Sequence, residues 1–245
     1  MNEAEDLCRM AASEGIETIV ATPHVLRGRW KNTSRTQLEE LLAQLSERIH
    51  HSPRLVLGSE YWFGHDIDEV LRAGTPIIPL AGSRSVLVEF PSNAIPPFAL
   101  EPLHRARLDG WIPIIAHPER NDVFRAKPEI LISFLRSGIR AQVTAGSLIG
   151  DFGRDAQRTG LAWIQAGMVH VVATDAHNST KRPPRFRQAW ARVADLCGEP
   201  VARALFVENP RAILEGHDLP FDPEISERPD QLGVMERLRR FLTRR

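Results

Sequence analysis

Cysteine is nearly absent from this 245-residue chain, which holds only Cys8 and Cys197. Two thiols cannot build a disulfide framework, so the fold must stand on its core, and a reducing compartment suits them. Long apolar runs are lacking as well. None approaches the ~18 residues that a membrane span needs. The opening segment Met1–Cys8 is acidic and polar, unlike a secretory signal. The tripeptides Asn32-Thr33-Ser34 and Asn178-Ser179-Thr180 therefore carry no expectation of glycosylation. A surplus of one charge is the third absence. Lys and Arg number 31, and Asp and Glu also number 31. No global field then draws the chain to nucleic acid or anionic lipid. A cytoplasmic protein without a nucleic-acid partner or transmembrane segment is expected, with any charge-based recognition confined to local patches.

What the chain does have is alternation. Hydrophobic residues make up 42% and charged ones 25%, enough for one large core at this length. Short runs rich in Ile and Val recur at Glu17–Ala21, Arg54–Gly58, Ser85–Val88, Ile112–Ala116, Ala141–Val143 and Val169–Ala173. Apolar on both faces, they suit strands of a parallel sheet covered by helices. Between them, apolar residues at three- and four-residue spacing predict helices. These run over Glu3–Glu14, Arg35–His50, Asp66–Arg72, Phe98–Asp109, Lys127–Ser137, Arg154–Ala166 and Arg185–Cys197. Glycines at 15, 74, 110, 138, 167 and 198 follow six of them, where a helix end favours positive φ.

This order fits an α/β barrel or a doubly wound sheet. It begins on a helix, so a closed barrel would lack its first strand. The expectation is that this strand lies upstream of Met1, with an open sheet edge as the alternative. Residues 1–215 form the expected barrel domain and residues 216–245 a separate tail. In that tail, His217–Leu232 carries three prolines and reads as a linker. Val234–Arg245 reads as a basic amphipathic helix, packing on the barrel or a sister subunit, or docking on an acidic partner or membrane surface.

The strand ends carry the chemistry. They read Thr22-Pro23-His24, Ser59-Glu60, Glu89-Phe90, His117-Pro118-Glu119-Arg120, Thr144-Ala145-Gly146-Ser147 and Thr174-Asp175-Ala176-His177. In α/β barrels the active site lies at this end of the strands, so side chains distant in sequence converge there. Imidazoles with carboxylates are the donors that Mn, Fe and Zn take. Singly, His24 or His117 would be a hydrogen-bonded structural histidine, Glu89 an arginine partner and Asp175 a cap. As a set, His24, Glu60, Glu89, His117, Asp175 and His177 are candidate metal ligands. Period-two spacing would point Asp175 and His177 the same way. Arg120 and Arg182 each follow a candidate ligand closely, and guanidinium forks hold phosphate oxygens bidentately. Arg27 and Arg29 are read as loop residues facing solvent. Cys197 to Arg203 fits a Cys-x5-Arg pattern, yet Cys197 ends a helix instead of following a strand, which argues against a phosphate loop.

At these residues the sequence resembles the PHP-type protein-tyrosine phosphatases of bacterial capsule and exopolysaccharide loci. The resemblance rests on ETIVATPHVLRG, LVLGSEYW, VLVEF, IPIIAHPERN, QVTAGSL, VHVVATDAHN with RPP, and VENPRAIL, in order over about residues 5–215. It implies a distorted TIM-like barrel of seven βα units holding up to three divalent ions, usually manganese. The implied substrates are phosphotyrosines on the tail of a cytoplasmic tyrosine autokinase controlling polysaccharide export. By motif, Glu60 would bridge two metals, Glu89 and His117 would complete one, Asp175 would belong to the other, and His24 and His177 would hold the third. Arg120 and Arg182 would orient the phosphate. The family begins with an Asp-x-His-x-His strand and an Asp-Asp-Gly turn, and this chain starts after that point. Thr144 stands where the family often has Asn. Two alternatives stay open: a catalytically impaired protein that binds the kinase, and a phosphoesterase for a small monoester such as histidinol phosphate. Oligomers are compatible with either.

Overall fold

Eight strands, all in parallel pairs, make up the sheets in the described residues. The computed structural model describes residues 2–25, 27, 34–64, 67–74 and 76–226. Arg29, the rest of the expected linker and the expected helix over Val234–Arg245 lie outside them. Strand β1 (Thr18–Ala21) pairs with β3 (Arg54–Leu57). The other six follow one another in a single sheet: β2 (His24–Val25), β4 (Glu60–Trp62), β5 (Ser85–Glu89), β6 (Ile112–Ala116), β7 (Arg140–Thr144) and β8 (Val171–Ala173). Among the described residues β2 and β8 are the edges, and no strand pairing closes the sheet into a ring.

The two sheets share a seam. The Gly58 amide donates to Ala21 O and the Glu60 amide to Pro23 O, so the β1–β3 ladder runs on into β2–β4. Pro23 has no N–H to give and interrupts one side. Gly58 occupies the other side, where an added Cβ would stand 2.7 Å from Leu80 Cδ2. The sequence reading located β1 and β3 but not their continuations. At two and three residues, β2 and β4 are too short to display a period.

Helices α1 (Asn2–Ser13), α2 (Arg35–Arg48), α3 (Ile67–Ala73) and α4 (Leu100–Leu108) fall on expected segments. Beyond the short, unforeseen α5 (Asp122–Ala126) comes α6 (Pro128–Arg136), again as expected. The short α7 (Ala145–Ile149) precedes α8 (Arg154–Gln165) and α9 (Arg187–Cys197), both foreseen, and the chain turns through α10 (Glu199–Arg203) and α11 (Asn209–Glu215). The six glycines anticipated at helix ends take φ between 72° and 90°.

Each central strand buries both faces, as a covered parallel sheet requires. Val86, Val88 and Ile115 join a large core that includes Leu103, Phe124, Leu131 and Leu205. Their neighbours Leu87, Ile114 and Ala116 join a smaller cluster with Leu80, Val171 and Ile213 of α11. That second face leads to the site. No helix among the described residues is long and apolar enough to cross a membrane.

The first part of the expected linker is docked, not free. Asn209, fully buried, donates to Phe221 O and His170 O and accepts from the Phe221 amide. The Ser226 amide donates to Ala166 O. Beneath this strap His170 accepts from the Ala141 amide through Nδ1 at 3.3 Å. Burial, with Arg140 nearby, pulls the His170 pKa down to about 3. His170 is therefore neutral in the fold but titrates near 6.5 when unfolded. Its contribution is complete above pH 6.5 and is lost as pH falls toward 3. Between pH 6.5 and 5 this one group should cost on the order of 1–2 kcal/mol of stability. Urea unfolding of wild type and His170→Gln across that range checks it: the wild type should lose more stability than the variant.

Candidate metal centre

Parallel register brings the site together. His24 lies opposite Glu60, and Glu60 opposite Leu87 on β5. Side chains alternate along a strand, so Glu89 shares the face of Leu87. His24, Glu60 and Glu89 each offer a donor atom within 4.8 Å of the others. His24 Nδ1 stands 2.9 Å from Glu60 Oε2 and 3.7 Å from Glu89 Oε2. From the end of β6, His117 Nε2 lies 3.3 Å from Glu60 Oε1 and 3.6 Å from Glu89 Oε1.

Two carboxylates, 5% and 6% exposed, thus sit beside two imidazoles. Burial works against ionising Glu60, but hydrogen bonds with His117 and His24 outweigh it and hold that carboxyl well below the usual range. Glu89 goes the other way: burial and the charge of Glu60 push it up, against the pull of His117 and Arg27. Burial likewise opposes protonation of His117, and its bond to Glu60 overcomes this, raising the pKa. Such a pocket calls for positive charge. Its imidazole and carboxylate donors are of the kind that bind a borderline divalent cation.

A second group adjoins the first. The His24 and His177 rings lie 6.0 Å apart between centroids, and His177 Nδ1 is 3.6 Å from Asp175 Oδ1. Arg120 and Arg182 both donate to Asp175 Oδ2. Asp175 and His117 hold φ of 50° and 36°, a left-handed region that non-glycine residues enter mainly where surrounding structure enforces it. Strand β8 stops at Ala173, so the pleat argument for Asp175 and His177 does not apply. Irregular backbone with a left-handed Asp175, not strand alternation, brings them together.

A family model for capsular polysaccharide synthesis, CpsB/CapC, matches residues 1–215. The chain belongs to this family. CapC of Staphylococcus aureus is 36% identical over 195 residues, 78% of this chain and 75% of that protein. The tyrosine-protein phosphatase YwqE of Bacillus subtilis is 36% identical over 180 residues, 72% of this chain and 70% of that protein. A solved structure from crystallographic work on YwqE and on CpsB of Streptococcus pneumoniae, metal-dependent tyrosine phosphatases, matches with a TM-score of 0.86 at 30% identity. It covers 93% of this chain and 92% of that one.

Within this CpsB/CapC member, two site residues escaped the sequence reading. Arg27 is no solvent-facing loop residue. Its Nη1 lies 2.6 Å from Glu89 Oε2 and 3.2 Å from His24 Nε2, and its guanidinium stacks over Trp62 at 4.4 Å. Its spacing of three residues from His24 was the available signal. Glu119, fully buried, accepts from Ser147 Oγ at 2.6 Å and the Thr144 amide at 3.1 Å. It ties the His117 turn to the end of β7. Cys197 ends α9 and is buried, as the helix reading expected.

Two guanidinium groups on one carboxylate form a coupled unit. A double-mutant cycle of Asp175→Asn and Arg182→Met, read from urea midpoints, should give a coupling energy of about 1–3 kcal/mol. Additive effects would contradict the arrangement.

Proposed function

We propose that this chain is a metal-dependent protein-tyrosine phosphatase of capsular or exopolysaccharide synthesis, built on a distorted TIM-like PHP barrel of βα units and acting in the cytoplasm. Its substrate is phosphotyrosine on the tail of a bacterial tyrosine autokinase. One observation carries the reading: His24, Glu60 and Glu89 gather their donor atoms together, His117 stands against both carboxylates, and two arginines meet at Asp175 alongside. Membership in the CpsB/CapC family supports the same conclusion.

The ions would be divalent, with manganese the proposed species and up to three the number for an intact site that also carries the family's first-strand ligands. Glu60, Glu89 and His117 would hold one ion, Glu60 with Asp175 a second, and His24 with His177 a third. Bound there, such ions supply Lewis acidity toward phosphoryl oxygens and acidify an attacking water. The side chains supply the rest. Hydrogen bonding with His24 and His117 keeps Glu60 ionised, so the site is ready for cations at neutral pH. Arg120 and Arg182, released from Asp175, would grip the phosphate through paired N–H donors and hold it for in-line displacement. The water oxygen bonds to phosphorus as the bond to the phenolic oxygen breaks, and the departing phenolate takes up a proton. A phenol with a pKa near ~10 leaves without strong acid assistance.

Dialysis against EDTA should abolish hydrolysis of a phosphotyrosine peptide and of p-nitrophenyl phosphate, and added Mn(II) should restore it. Arg120→Ala should lower kcat/KM by roughly 100-fold with Mn(II) present. The peptide should be turned over faster than histidinol phosphate. Chelator-resistant turnover, or a preference for the small monoester, would overturn the proposal.

A further inference from the structure

Phe152 belongs to neither core cluster, although it is half-buried and aromatic. Its contacts lie elsewhere. The Arg120 guanidinium carbon stands 4.4 Å from the centre of its ring, and that of Arg182 stands 5.4 Å away. Both distances fall within the range where a ring face attracts a cation.

The loop carrying this ring is built to hold it still. Gly150 and Gly153 bracket it at φ of 94° and 90°, and the Asp151 amide donates to Gly146 O at 2.9 Å. The ring lies against Gly146, where a Cβ would meet Phe152 Cε2 at 3.0 Å. Arg185 Nη1 donates to Asp151 Oδ1 at 3.0 Å, fastening this loop to the one that presents Arg182.

We propose that Phe152 is a positioning residue whose ring keeps Arg120 and Arg182 side by side and aimed at the phosphate. The inference rests on the reading of those arginines as the phosphate clamp. Two like charges on long side chains repel one another, and the Asp175 carboxylate holds both only while it has no other partner, leaving Arg182 its bond to Asp175 O at 3.1 Å. The ring face attracts both and asks nothing of Asp175. An aliphatic residue of similar size would fill the space without attracting either cation, so a purely space-filling role and a positioning role give different results.

The test compares Phe152→Leu with Phe152→Tyr in the 245-residue chain with Mn(II). Orthophosphate affinity is measured by calorimetry and KM and kcat on p-nitrophenyl phosphate. Phe152→Leu should weaken orthophosphate binding and raise KM by about tenfold, while Phe152→Tyr stays within about twofold of wild type on both, since its ring keeps the same π face. Urea midpoints of the two variants should agree. Wild-type orthophosphate affinity in Phe152→Leu, equal impairment in both variants, or no measurable orthophosphate binding to the wild type would each overturn the inference. Wild type that binds orthophosphate but hydrolyses no phosphotyrosine would overturn the proposed function, and the affinity comparison would still decide the role of Phe152.

Discussion

Two carboxylates, Glu60 and Glu89, are forced into one desolvated space, and the rest of the site is arranged around that constraint. Each is nearly buried, and the charge of one raises the pKa of the other. Left alone, such a pair would favour unfolding, because a buried charge without a partner is expensive. The fold answers with His24, His117 and Arg27, all within hydrogen-bonding or ion-pair reach. Those partners come from β2, the segment just after it and the turn after β6. Register across several strands is therefore what makes the centre possible.

The seam between the sheets serves the same end. If β1 ran straight on, His24 would take whatever orientation the strand pleat dictated. Pro23 and Gly58 break the two strands side by side while the hydrogen bonds continue across, and the short β2 and β4 then aim His24 and Glu60 at each other. Backbone tension recurs at His117 and Asp175, both left-handed. Glu119, tied to Ser147 and Thr144, fixes the turn beside His117, and the two arginines fix Asp175. Strained backbone and concentrated charge thus coincide, as expected where geometry is held for chemistry and not for stability.

Much of this was legible in the sequence. The period of α8 and the unbroken apolar run of β5 announced themselves, because burial imposes the pattern on neighbouring residues together. His24, Glu60, Glu89 and His117, picked out from their place at strand ends, do lie together, as parallel architecture leads one to expect. Arg27 was not picked out, since an arginine in a loop has no periodic signature and its contact with Glu89 spans 62 residues of sequence. Phe152 left no trace either: a lone aromatic between two glycines reads as a turn until Arg120 and Arg182 are placed against it. The docked strap also escaped, since its prolines signal a linker while its anchoring depends on Asn209, whose role appears only when Phe221 is brought beside it.

The central claim is that buried acidic and imidazole groups from separate strands share a cation. Crystals of the 245-residue chain soaked in Mn(II) and measured at the manganese absorption edge test this most directly. An anomalous peak within bonding distance of Glu60, Glu89 and His117 is the predicted result. A peak bound elsewhere, or none while those three side chains remain in place, would contradict it.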